Sequence, residues 1–398
     1  QLIGYLAGDA GAAGSVLAIG DDDICFQLCS QPWQPFQERT AARLSENIAD
    51  KKGSHWRSIT KSSYGNISVI IHTEMKILIT GGAGYIGSIV TEACIEAGDE
   101  VIVYDNLSTG HGGAVHPDAD FVIGDVGDSD LIDGTFREHD IDAVIHMAGF
   151  IEAGESMEKP VKYFRNNACR PLEMLEAMAA NGVSKILFSS TAAIYGNPQT
   201  ELLEEDHPQN PTNVYGESKL VFERMLDWYE RIHGIRHAAL RYFNAAGATD
   251  ERGEDHRPET HLIPLVLKAA SGQNSHIEIY GTDYPTIDGT CIRDYIHVRD
   301  LAQAHLMALR KLNDSCLHYN LGNGKGYSVR QVIDTAKKVT GVDFEVTETA
   351  RRPGDPTVLI ASSERIAGEL GWEAKHPSLE EIIASAWEWH SKNPQGYD

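Results

Sequence analysis

The chain has 398 residues, of which 42% are hydrophobic, and this is enough for two domains with cores of their own. Its formal net charge of −24 argues against binding to nucleic acid or to an anionic membrane surface. Asp9 and Asp21 interrupt the only stretch apolar enough to suggest a bilayer span, and that stretch lacks the basic residues of a signal peptide. We therefore expect a cytoplasmic protein.

The six cysteines are scattered along the chain. They form no Cys-x-x-Cys pair and have no histidine partner at a spacing typical of metal ligands. These residues are Cys25, Cys29, Cys94, Cys169, Cys291 and Cys316. We expect reduced thiols and no metal site.

Residues 1–74 differ in character from the rest of the chain. They are rich in Gly and Ala at first and show no sustained helical or strand period. We interpret them as an N-terminal extension of unknown role, either disordered or a small appended domain, and assign them no function.

From residue 75 onward, apolar strand patterns alternate with helical patterns. The expected strands cover 76–80, 101–105, 121–124, 143–148, 185–190 and 237–243. The expected helices cover 85–98, 129–139, 160–182 and 216–234, and Pro171 should kink or break the third of them. Such alternation predicts a doubly wound parallel sheet with helices on both faces and a ligand at the carboxyl ends of the strands. We assign residues 75–244 to this α/β domain.

After residue 244 the regular pattern fades into loops rich in Gly, Pro, Asp and His. Further helices are expected near 262–271, 299–311, 328–340 and 379–391. We interpret residues 245–398 as a smaller α/β domain that binds the substrate. Parts of it should pack back on the first domain, and its loops should close over the cleft.

Glycines at positions 81, 84 and 87 follow the first expected strand. Gly81 permits a tight turn, Gly84 lets the backbone approach a pyrophosphate, and Gly87 lets the helix lie close to the sheet. The helix N-terminus then offers free N–H groups to phosphates. Asp105 ends the second strand and can accept hydrogen bonds from an adenosine ribose, which favours NAD over its 2′-phosphorylated form. The pattern therefore predicts a Rossmann-type domain that binds NAD.

Tyr215 and Lys219 lie four residues apart near the start of an expected helix, so both side chains project from one face. A phenol beside an ammonium is favoured in its ionised form, and the positive nicotinamide ring of bound NAD would add to this effect. Thr191 follows strand 185–190, at the sheet edge where a hydroxyl can donate to a substrate oxygen or pass on a proton. In isolation, a surface tyrosine above a lysine and a threonine that caps a loop are simpler interpretations. With the nucleotide motif upstream, the three residues predict a catalytic site.

Several longer segments are far more specific than the glycines. They are Arg241-Tyr-Phe-Asn-Ala-Ala-Gly247, segment 253–264, segment 280–298, Arg351-Arg-Pro-Gly-Asp355 and Asn393-Pro-Gln-Gly-Tyr397. In these segments the chain resembles the extended short-chain dehydrogenase/reductase superfamily and, within it, the UDP-glucose 4-epimerase family. The likeness covers essentially all of residues 75–398.

The resemblance implies an isomerase of galactose metabolism that interconverts UDP-glucose and UDP-galactose through a 4-keto intermediate. Tyr215, as phenolate, would take the proton of the sugar 4-hydroxyl, and Thr191 would bond to the same oxygen. Hydride would pass from C4 to NAD and return on the other face, so NAD would stay bound. Lys219 would hold the nicotinamide ribose and keep Tyr215 ionised. A homodimer through the helices at 160–182 and 216–234 is also implied.

The resemblance further implies two sets of ligand-binding positions. The cofactor set is Gly81, Gly84, Tyr85, Ile86, Gly87, Asp105, Asn106, Asp125, Val126, Met147, Ala148, Gly149, Asn166, Tyr215, Lys219 and Phe243. The UDP-sugar set is Thr191, Asn244, Thr260, His261, Leu262, Glu278, Ile279, Tyr280, Arg293, Arg352 and Asp355. Arginine forks suit a diphosphate. Arg293 and Arg352 could also be surface ion-pair residues in so acidic a protein.

The chain departs from the family pattern at two positions that bear on ligand binding. Ile151 stands where family members often have a lysine near the nicotinamide and phosphates, so cofactor binding would rest more on Lys219 and backbone amides. Leu359 stands where a tyrosine limits the pocket to sugars without an N-acetyl group. Because leucine is smaller, N-acetylhexosamine nucleotides stay open as substrates.

Other activities compete with this hypothesis. Epimerases of UDP-N-acetylglucosamine or of UDP-pentoses remain open. A nucleotide-sugar 4,6-dehydratase needs an acid pair directly after the strand-end threonine, where this chain has Ala192 and Ala193. A binding module without catalysis could dispense with Tyr215, Lys219 and Thr191, and all three are present.

Overall fold

The computed structural model describes residues 74–312, 315–352 and 355–397, together with the backbone of four strands nearer the N-terminus. The chain divides into two compact units, Gln1–Met75 and Lys76–Asp398. In the first unit, strands β1 (Leu2–Ala7), β2 (Ser15–Ile19), β3 (Ile24–Phe26) and β4 (Ser68–Ile71) form an antiparallel sheet in the order β3-β2-β1-β4. No strand was expected from the sequence pattern in this part of the chain.

The second unit contains the α/β elements. Its strands are β5 (Lys76–Thr80), β6 (Glu100–Asp105), β7 (Asp120–Ile123), β8 (Ala143–His146), β9 (Lys185–Thr191), β10 (Leu202–Leu203), β11 (Arg236–Tyr242), β12 (Asn244–Ala246), β13 (His276–Tyr280), β14 (Ile292–His297), β15 (Leu317–Leu321), β16 (Gly326–Ser328), β17 (Glu345–Thr349) and β18 (Val358–Ala361). Its α-helices are α1 (Tyr85–Glu96), α2 (Ser129–His139), α3 (Ala153–Glu158), α4 (Pro160–Phe164), α5 (Pro171–Ala180), α6 (Val214–His233), α7 (Leu262–Ala270), α8 (Val298–Lys311), α9 (Val329–Thr340), α10 (Glu364–Leu370) and α11 (Leu379–Lys392).

A seven-stranded parallel sheet forms the centre of this unit. Its strand order is β7-β6-β5-β8-β9-β11-β15. The order reverses direction at β5, so β6 and β8 flank it and their carboxyl ends open a crevice there. The prediction of a doubly wound parallel sheet is confirmed, and the six expected strands are present with shifts of at most two residues at their ends.

Helices cover both faces of the large sheet. On one face α2, α5 and α6 bury a core that includes Leu78, Val144, Ile186 and Phe188. On the other face α1 packs against α8. The strands are apolar on both sides, as expected for a parallel sheet between two helical layers.

The expected helix 160–182 is interrupted before Pro171. Residues Arg165–Cys169 form a π-helical turn between α4 and α5, in which Arg170 N donates to the carbonyl of Arg165 at 2.9 Å. Proline has no N–H to donate, and its ring clashes with the carbonyl four residues earlier. The wider turn accommodates both effects, so the expected break at Pro171 is confirmed.

The chain after residue 244 contributes to more than one layer. Strand β15 completes the large sheet and was not predicted from the sequence. A second core lies between β13, β14 and helices α7, α9 and α11, and includes Val266, Leu267, Ile333 and Ile382. Leu359 of β18 belongs to a smaller cluster around Ile194 and Tyr195. The division into two domains at residue 244 stays a prediction.

Within the part of the chain that the structure describes, no helix combines the length and the apolar character needed to cross a membrane.

Candidate active site

The turn between β5 and α1 has the shape that a dinucleotide needs. Gly81 adopts a positive φ of 75°, and a Cβ at this position would come within 2.5 Å of Ala148 N. A Cβ on Gly87 would overlap the carbonyl oxygen of Gly81, so α1 can approach the turn only with glycine there. At Gly84 the nearest atom would be Gly81 O at 3.3 Å, which leaves that side open. The turn therefore has a free concave face at the start of α1.

The start of α1 suits an anion. Gly84, the N-cap residue, has no side chain to satisfy the first N–H groups, and no acidic residue stands in the first turn. Asp105, at the end of β6, accepts hydrogen bonds from Ala83 N at 3.0 Å and from Leu107 N at 2.8 Å. Each carboxylate oxygen keeps a further lone pair for a ribose hydroxyl. These groups fit the adenosine and pyrophosphate parts of NAD.

The other expected cofactor residues lie along the carboxyl ends of the sheet. Asp125 accepts from Asn106 Nδ2 at 2.9 Å and from Arg170 Nη1 at 2.6 Å. Tyr85 OH donates to the carbonyl of Gly247 at 2.6 Å. Of the remaining positions, Ile86 lies in the first turn of α1, Val126 follows β7, and Asn166 precedes α5. Met147, Ala148 and Gly149 follow β8, and Phe243 follows β11. Val126 is buried in the core, so only its backbone can face a ligand.

Tyr215 is held at the start of α6 by two backbone contacts. Asn213 caps the helix by accepting from Gly216 N at 2.8 Å, and Ser156 Oγ accepts from Tyr215 N at 3.1 Å. Ser156 is fully buried on α3, so the segment that follows β8 fixes the position of the tyrosine. The tyrosine hydroxyl contacts the side chain of Thr191 at the end of β9.

Thr191 caps a turn, which is the simpler of the two roles that its sequence position suggested. Its Oγ1 accepts a hydrogen bond from Ala193 N at 3.1 Å, which caps the turn Ala192–Tyr195. A hydroxyl that accepts one bond can still donate its own proton. The threonine therefore can hold the turn and bond to a substrate oxygen at the same time.

Lys219 lies one helical turn below Tyr215 and is 2% exposed. Its Nζ donates to the carbonyl of Ser189 at 2.8 Å and lies 4.9 Å from the ring centre of Phe188. A Cβ on Gly149 would lie 3.2 Å from this Nζ, so the ammonium reaches the loop after β8. Burial lowers the pKa of Lys219 to about 8, although the negative charge of Glu223 acts in the opposite direction.

The pKa of Tyr215 is raised, which differs from the ionised phenol expected from the sequence. Burial is the main cause, the contact with Thr191 lowers the pKa, and the charge of Glu152 raises it further. The Lys219 ammonium is directed to the Ser189 carbonyl, so the residues of the chain alone do not offset the burial. A further positive charge beside the hydroxyl is needed to favour the phenolate.

Two of the expected substrate residues, Arg293 on β14 and Asp355, lie next to each other. Arg293 donates to the carbonyl of Pro356 at 2.8 Å, and its other terminal nitrogen lies 3.4 Å from Asp355 Oδ1. The Arg352 guanidinium lies 3.7 Å from the ring centre of Tyr280. Tyr280 OH in turn donates to Glu278. Ile279 is 1% exposed in the second core, so its side chain is excluded from a ligand site.

The remaining expected substrate residues lie between β12 and α7. Asn244 Nδ2 donates to the carbonyl of Asp294 at 2.8 Å. His261 stands at the N-cap position of α7, whose first residue is Leu262, and its side chain makes no capping bond. Burial alone would lower the pKa of His261, but Glu254 and Glu259 raise it well above its usual value. This imidazolium therefore stands next to two carboxylates at the start of α7.

Several residues around the site were not predicted from the sequence. Glu152 accepts from Thr260 Oγ1 at 2.7 Å and acts on the pKa of Tyr215. Asn167 accepts from Phe150 N at 2.9 Å and donates to Ser218 Oγ at 3.1 Å, which joins the loop after β8 to α6. Glu152 could have been proposed from the sequence, because it is an acidic residue shortly after the end of an expected strand. For Asn167 and Ser156 the sequence offered none, because their partners are distant in the chain.

Comparison with known proteins agrees with this geometry. The model of the NAD dependent epimerase/dehydratase family matches residues 77–322. The chain is similar to a UDP-glucose 4-epimerase of Halalkalibacterium halodurans, with 50% identity over 328 residues that cover 81% of this chain and 98% of the relative. A crystal structure of a UDP-glucose 4-epimerase matches with a TM-score of 0.80 and 47% identity, over 81% of this chain and 99% of that one.

A UDP-glucose 4-epimerase from Brucella ovis, crystallised in complex with NAD, matches with a TM-score of 0.77 and 44% identity. The match covers 79% of this chain and 97% of that chain. The family model and the relatives agree over the same part of the sequence, and that part contains the dinucleotide turn and the Thr191, Tyr215 and Lys219 cluster. The chain therefore belongs to the NAD-dependent epimerase/dehydratase family.

Proposed function

We propose that the protein is an NAD-dependent isomerase that interconverts UDP-glucose and UDP-galactose. The observation that carries this proposal is the meeting of Tyr215 with Thr191 at the carboxyl edge of β9, one helical turn from the buried ammonium of Lys219. The dinucleotide turn opens at the same edge of the sheet. A reversible oxidation at one sugar carbon needs a base, a hydrogen-bond donor and a cofactor at that edge.

The proton transfer is assigned to Tyr215 and Thr191. Bound NAD would supply a hydride acceptor for C4 and a positive charge near the tyrosine oxygen. Tyr215 would remove the proton from the sugar 4-hydroxyl and return it at the end of the reaction, because a group with two accessible protonation states can act in both directions. Thr191 would donate to the same sugar oxygen and keep it in line with the tyrosine. Lys219 would hold a ribose hydroxyl and add positive charge below Tyr215.

The substrate diphosphate is assigned to Arg293 and Arg352, and its ribose to Asp355. The interpretation of both arginines as surface ion-pair residues is less favoured, since Arg293 is held by backbone carbonyls and Arg352 stacks on Tyr280. Rigid guanidinium groups suit bidentate bonds to phosphate oxygens. A 4,6-dehydratase is also not favoured, because Ala192 and Ala193 occupy the turn after Thr191 and offer no acid.

The activity can be tested with purified protein and UDP-galactose, without added NAD, by following UDP-glucose formation by NMR. Conversion is expected, because the cofactor is regenerated in each turnover. Tyr215→Phe should lower turnover by about 10²–10⁴-fold, the usual contribution of a general base. Tyr319→Phe serves as the matched control, because it removes from β15 a tyrosine hydroxyl that bonds to Glu369 on α10. The absence of conversion by the wild-type protein, or a normal rate for Tyr215→Phe, would refute the proposal.

We further propose that the protein is a homodimer through the expected helices at 160–182 and 216–234, which are α4, α5 and α6, together with α3, which contacts α4 and α6. Met157 and Val161 are 60% and 64% exposed, and Trp228 and Ile232, one turn apart on α6, are 58% and 67% exposed. Exposed apolar side chains grouped on contacting helices are typical of a protein interface. Light scattering should show a dimer for the wild type and a monomer for Trp228→Glu/Ile232→Glu. Ile287→Glu changes a fully exposed apolar residue elsewhere and should leave the dimer intact.

A further inference from the structure

A second group of polar side chains lies under α6, at the opposite end of the sheet from the proposed active site. Strands β11 and β15 are parallel, with Ala239 opposite His318. Because side chains alternate along a strand, His237 and His318 lie on the same face of the sheet. Asp227 reaches this face from α6. His237 and His318 are each the second residue of their strand, and Asp227 lies in the middle of α6. Thr191 and Tyr215, in contrast, lie at the carboxyl edge of the sheet.

The three side chains have the spacing of metal ligands. One ligand atom from each of Asp227, His237 and His318 lies within 4.8 Å of the others. His237 Nε2 is 3.5 Å from Asp227 Oδ1, and the two imidazole rings are 5.4 Å apart at 83°. Around a tetrahedral Zn²⁺ with bonds of about 2.0–2.1 Å, ligand atoms lie roughly 3.3 Å apart. Small side-chain rotations would bring the three ligand atoms from their present spacing to the spacing around Zn²⁺.

His237 provides an independent sign that a ligand belongs here. Its side chain is fully buried, and among the described residues Nε2 has no hydrogen-bond partner. The other ring nitrogen, Nδ1, lies 3.2 Å from Cys316 Sγ. With the proton on Nδ1 and directed to the sulfur, Nε2 presents a lone pair towards the Asp227 carboxylate. A cation between the two atoms would satisfy both, and Cys316 would orient the ring as outer-shell partners of metal-bound histidines do.

The residue types favour the same conclusion as the geometry. Two imidazoles and a carboxylate are a common ligand set for Zn²⁺ and neighbouring transition metals.

We propose that Asp227, His237 and His318 bind one divalent transition-metal ion, with Zn²⁺ as the expected occupant. The Asp227 side chain is 44% exposed, so ions can enter from solvent and a water molecule can complete the coordination. The metal would tie α6 to β11 and β15, and would stabilise the fold without taking part in the reaction. This site could not be predicted from the sequence, because its residues form no local motif.

Zinc binding can be measured by calorimetry on full-length protein freed of metal with a chelator. One Zn²⁺ per chain should bind, and it should raise the melting temperature because it binds the folded state. Asp227→Asn, which keeps the shape of a half-exposed side chain, and His318→Phe should each weaken binding by at least about tenfold. His233→Ala removes an exposed histidine from the same helix and should bind like the wild type. Circular dichroism would verify that each variant is folded.

Two results would overturn the proposal. In the first, Asp227→Asn binds Zn²⁺ as tightly as the wild type, which would locate the ion elsewhere. In the second, the Co²⁺-loaded protein shows a thiolate charge-transfer band that is lost in Cys316→Ser. That band would assign the ion to Glu230, His237 and Cys316, the alternative group on the other side of the same ring. A Co²⁺ spectrum without such a band supports the proposed ligands.

Discussion

Thr260 Oγ1 donates a 2.7 Å hydrogen bond to Glu152 Oε2, and this bond joins the loop after β8 to the segment that precedes α7. Glu152 also acts on Tyr215, whose pKa it raises in addition to the larger effect of burial. One carboxylate therefore contacts an expected substrate residue and opposes ionisation of the expected base. This relationship makes Glu152 a positioning residue with a measurable effect on pH dependence.

Glu152→Gln should shift the acidic limb of the kcat/KM profile to lower pH. The amide keeps an acceptor for Thr260 but removes the negative charge, so the pKa of Tyr215 falls and more phenolate is present at a given pH. Glu158→Gln changes an exposed carboxylate nearby on α3 and should leave the profile unchanged. A profile that stays in place, or moves to higher pH, for Glu152→Gln would contradict this role.

Leu359→Tyr should narrow the range of sugars accepted. Leu359 pairs with Arg293 across β18 and β14 and packs with Phe243 against the cluster around Ile194, so a larger side chain there would reduce the space near the sugar. We expect kcat/KM for UDP-N-acetylgalactosamine to fall by about 10–200-fold relative to UDP-galactose. Leu359→Met conserves volume and should change the ratio little. Equal loss for both substrates would show that Leu359 does not limit the pocket.

Glu223→Leu should destabilise the protein strongly. The Glu223 carboxylate accepts from Arg241 Nε at 3.1 Å and Nη2 at 2.6 Å, and both side chains are almost fully buried. Burial tends to raise the pKa of Glu223, but the Arg241 cation outweighs it and holds the carboxyl ionised. Removing one partner leaves an uncompensated buried charge, at a cost of about 3–5 kcal/mol in the free energy of unfolding. Urea titration measures this quantity.

The double variant Glu223→Leu/Arg241→Met provides the comparison. Because it removes both charges, it should lose less stability than Glu223→Leu alone. Glu388→Gln breaks an exposed pair with Lys392 and should have little effect, since water screens such pairs. A double variant less stable than the single one would contradict the assignment.

The Glu254 cluster should make stability depend on pH within a defined window. Burial would raise the pKa of Glu254, but His261 and His256 lower it from 4.5 to about 2. Stability from this carboxylate is present above pH 4.5 and is lost as pH falls towards 2. The pKa of His256 is raised from 6.5, so stability from the imidazolium is present below pH 6.5 and is lost as pH rises through the higher folded value. The cluster therefore stabilises the fold most between these limits.

Glu254→Gln tests this window by calorimetric melting at a series of pH values. The difference in melting temperature between wild type and variant should be largest between about pH 4.5 and 6.5 and should shrink on both sides. A difference that is constant with pH would mean that the side chain contributes through packing alone.

The sequence predicted the large sheet well because its strands are apolar on both faces and its helices are long and regular. Strand β15 was missed because Leu317–Leu321 contains His318 and Asn320, whose polar side chains hide the strand pattern. Their burial depends on partners such as Tyr195 and α6 that lie elsewhere in the chain. Local pattern does not reveal such partners.

In the candidate active site as well, the sequence predicted relations within one helix or strand but not contacts between distant segments. Spacing along one helix predicted that Tyr215 and Lys219 share a face, and the strand end indicated Thr191. The protonation of Tyr215 could not be predicted in this way, because it depends on burial and on the approach of Glu152 from another loop. Ile279 was included from family resemblance, and its place in an alternating strand buries its side chain.

The late position of β15 in the chain affects how the protein can be made and divided. A fragment that stops at residue 244 would expose the unpaired N–H and C=O groups of β11 along one border of its sheet. Such borders recruit other chains and lead to aggregation. On the ribosome, the seven-stranded sheet has to wait for residues 317–321 before it can be completed, so this sheet and the segments between β11 and β15 mature together.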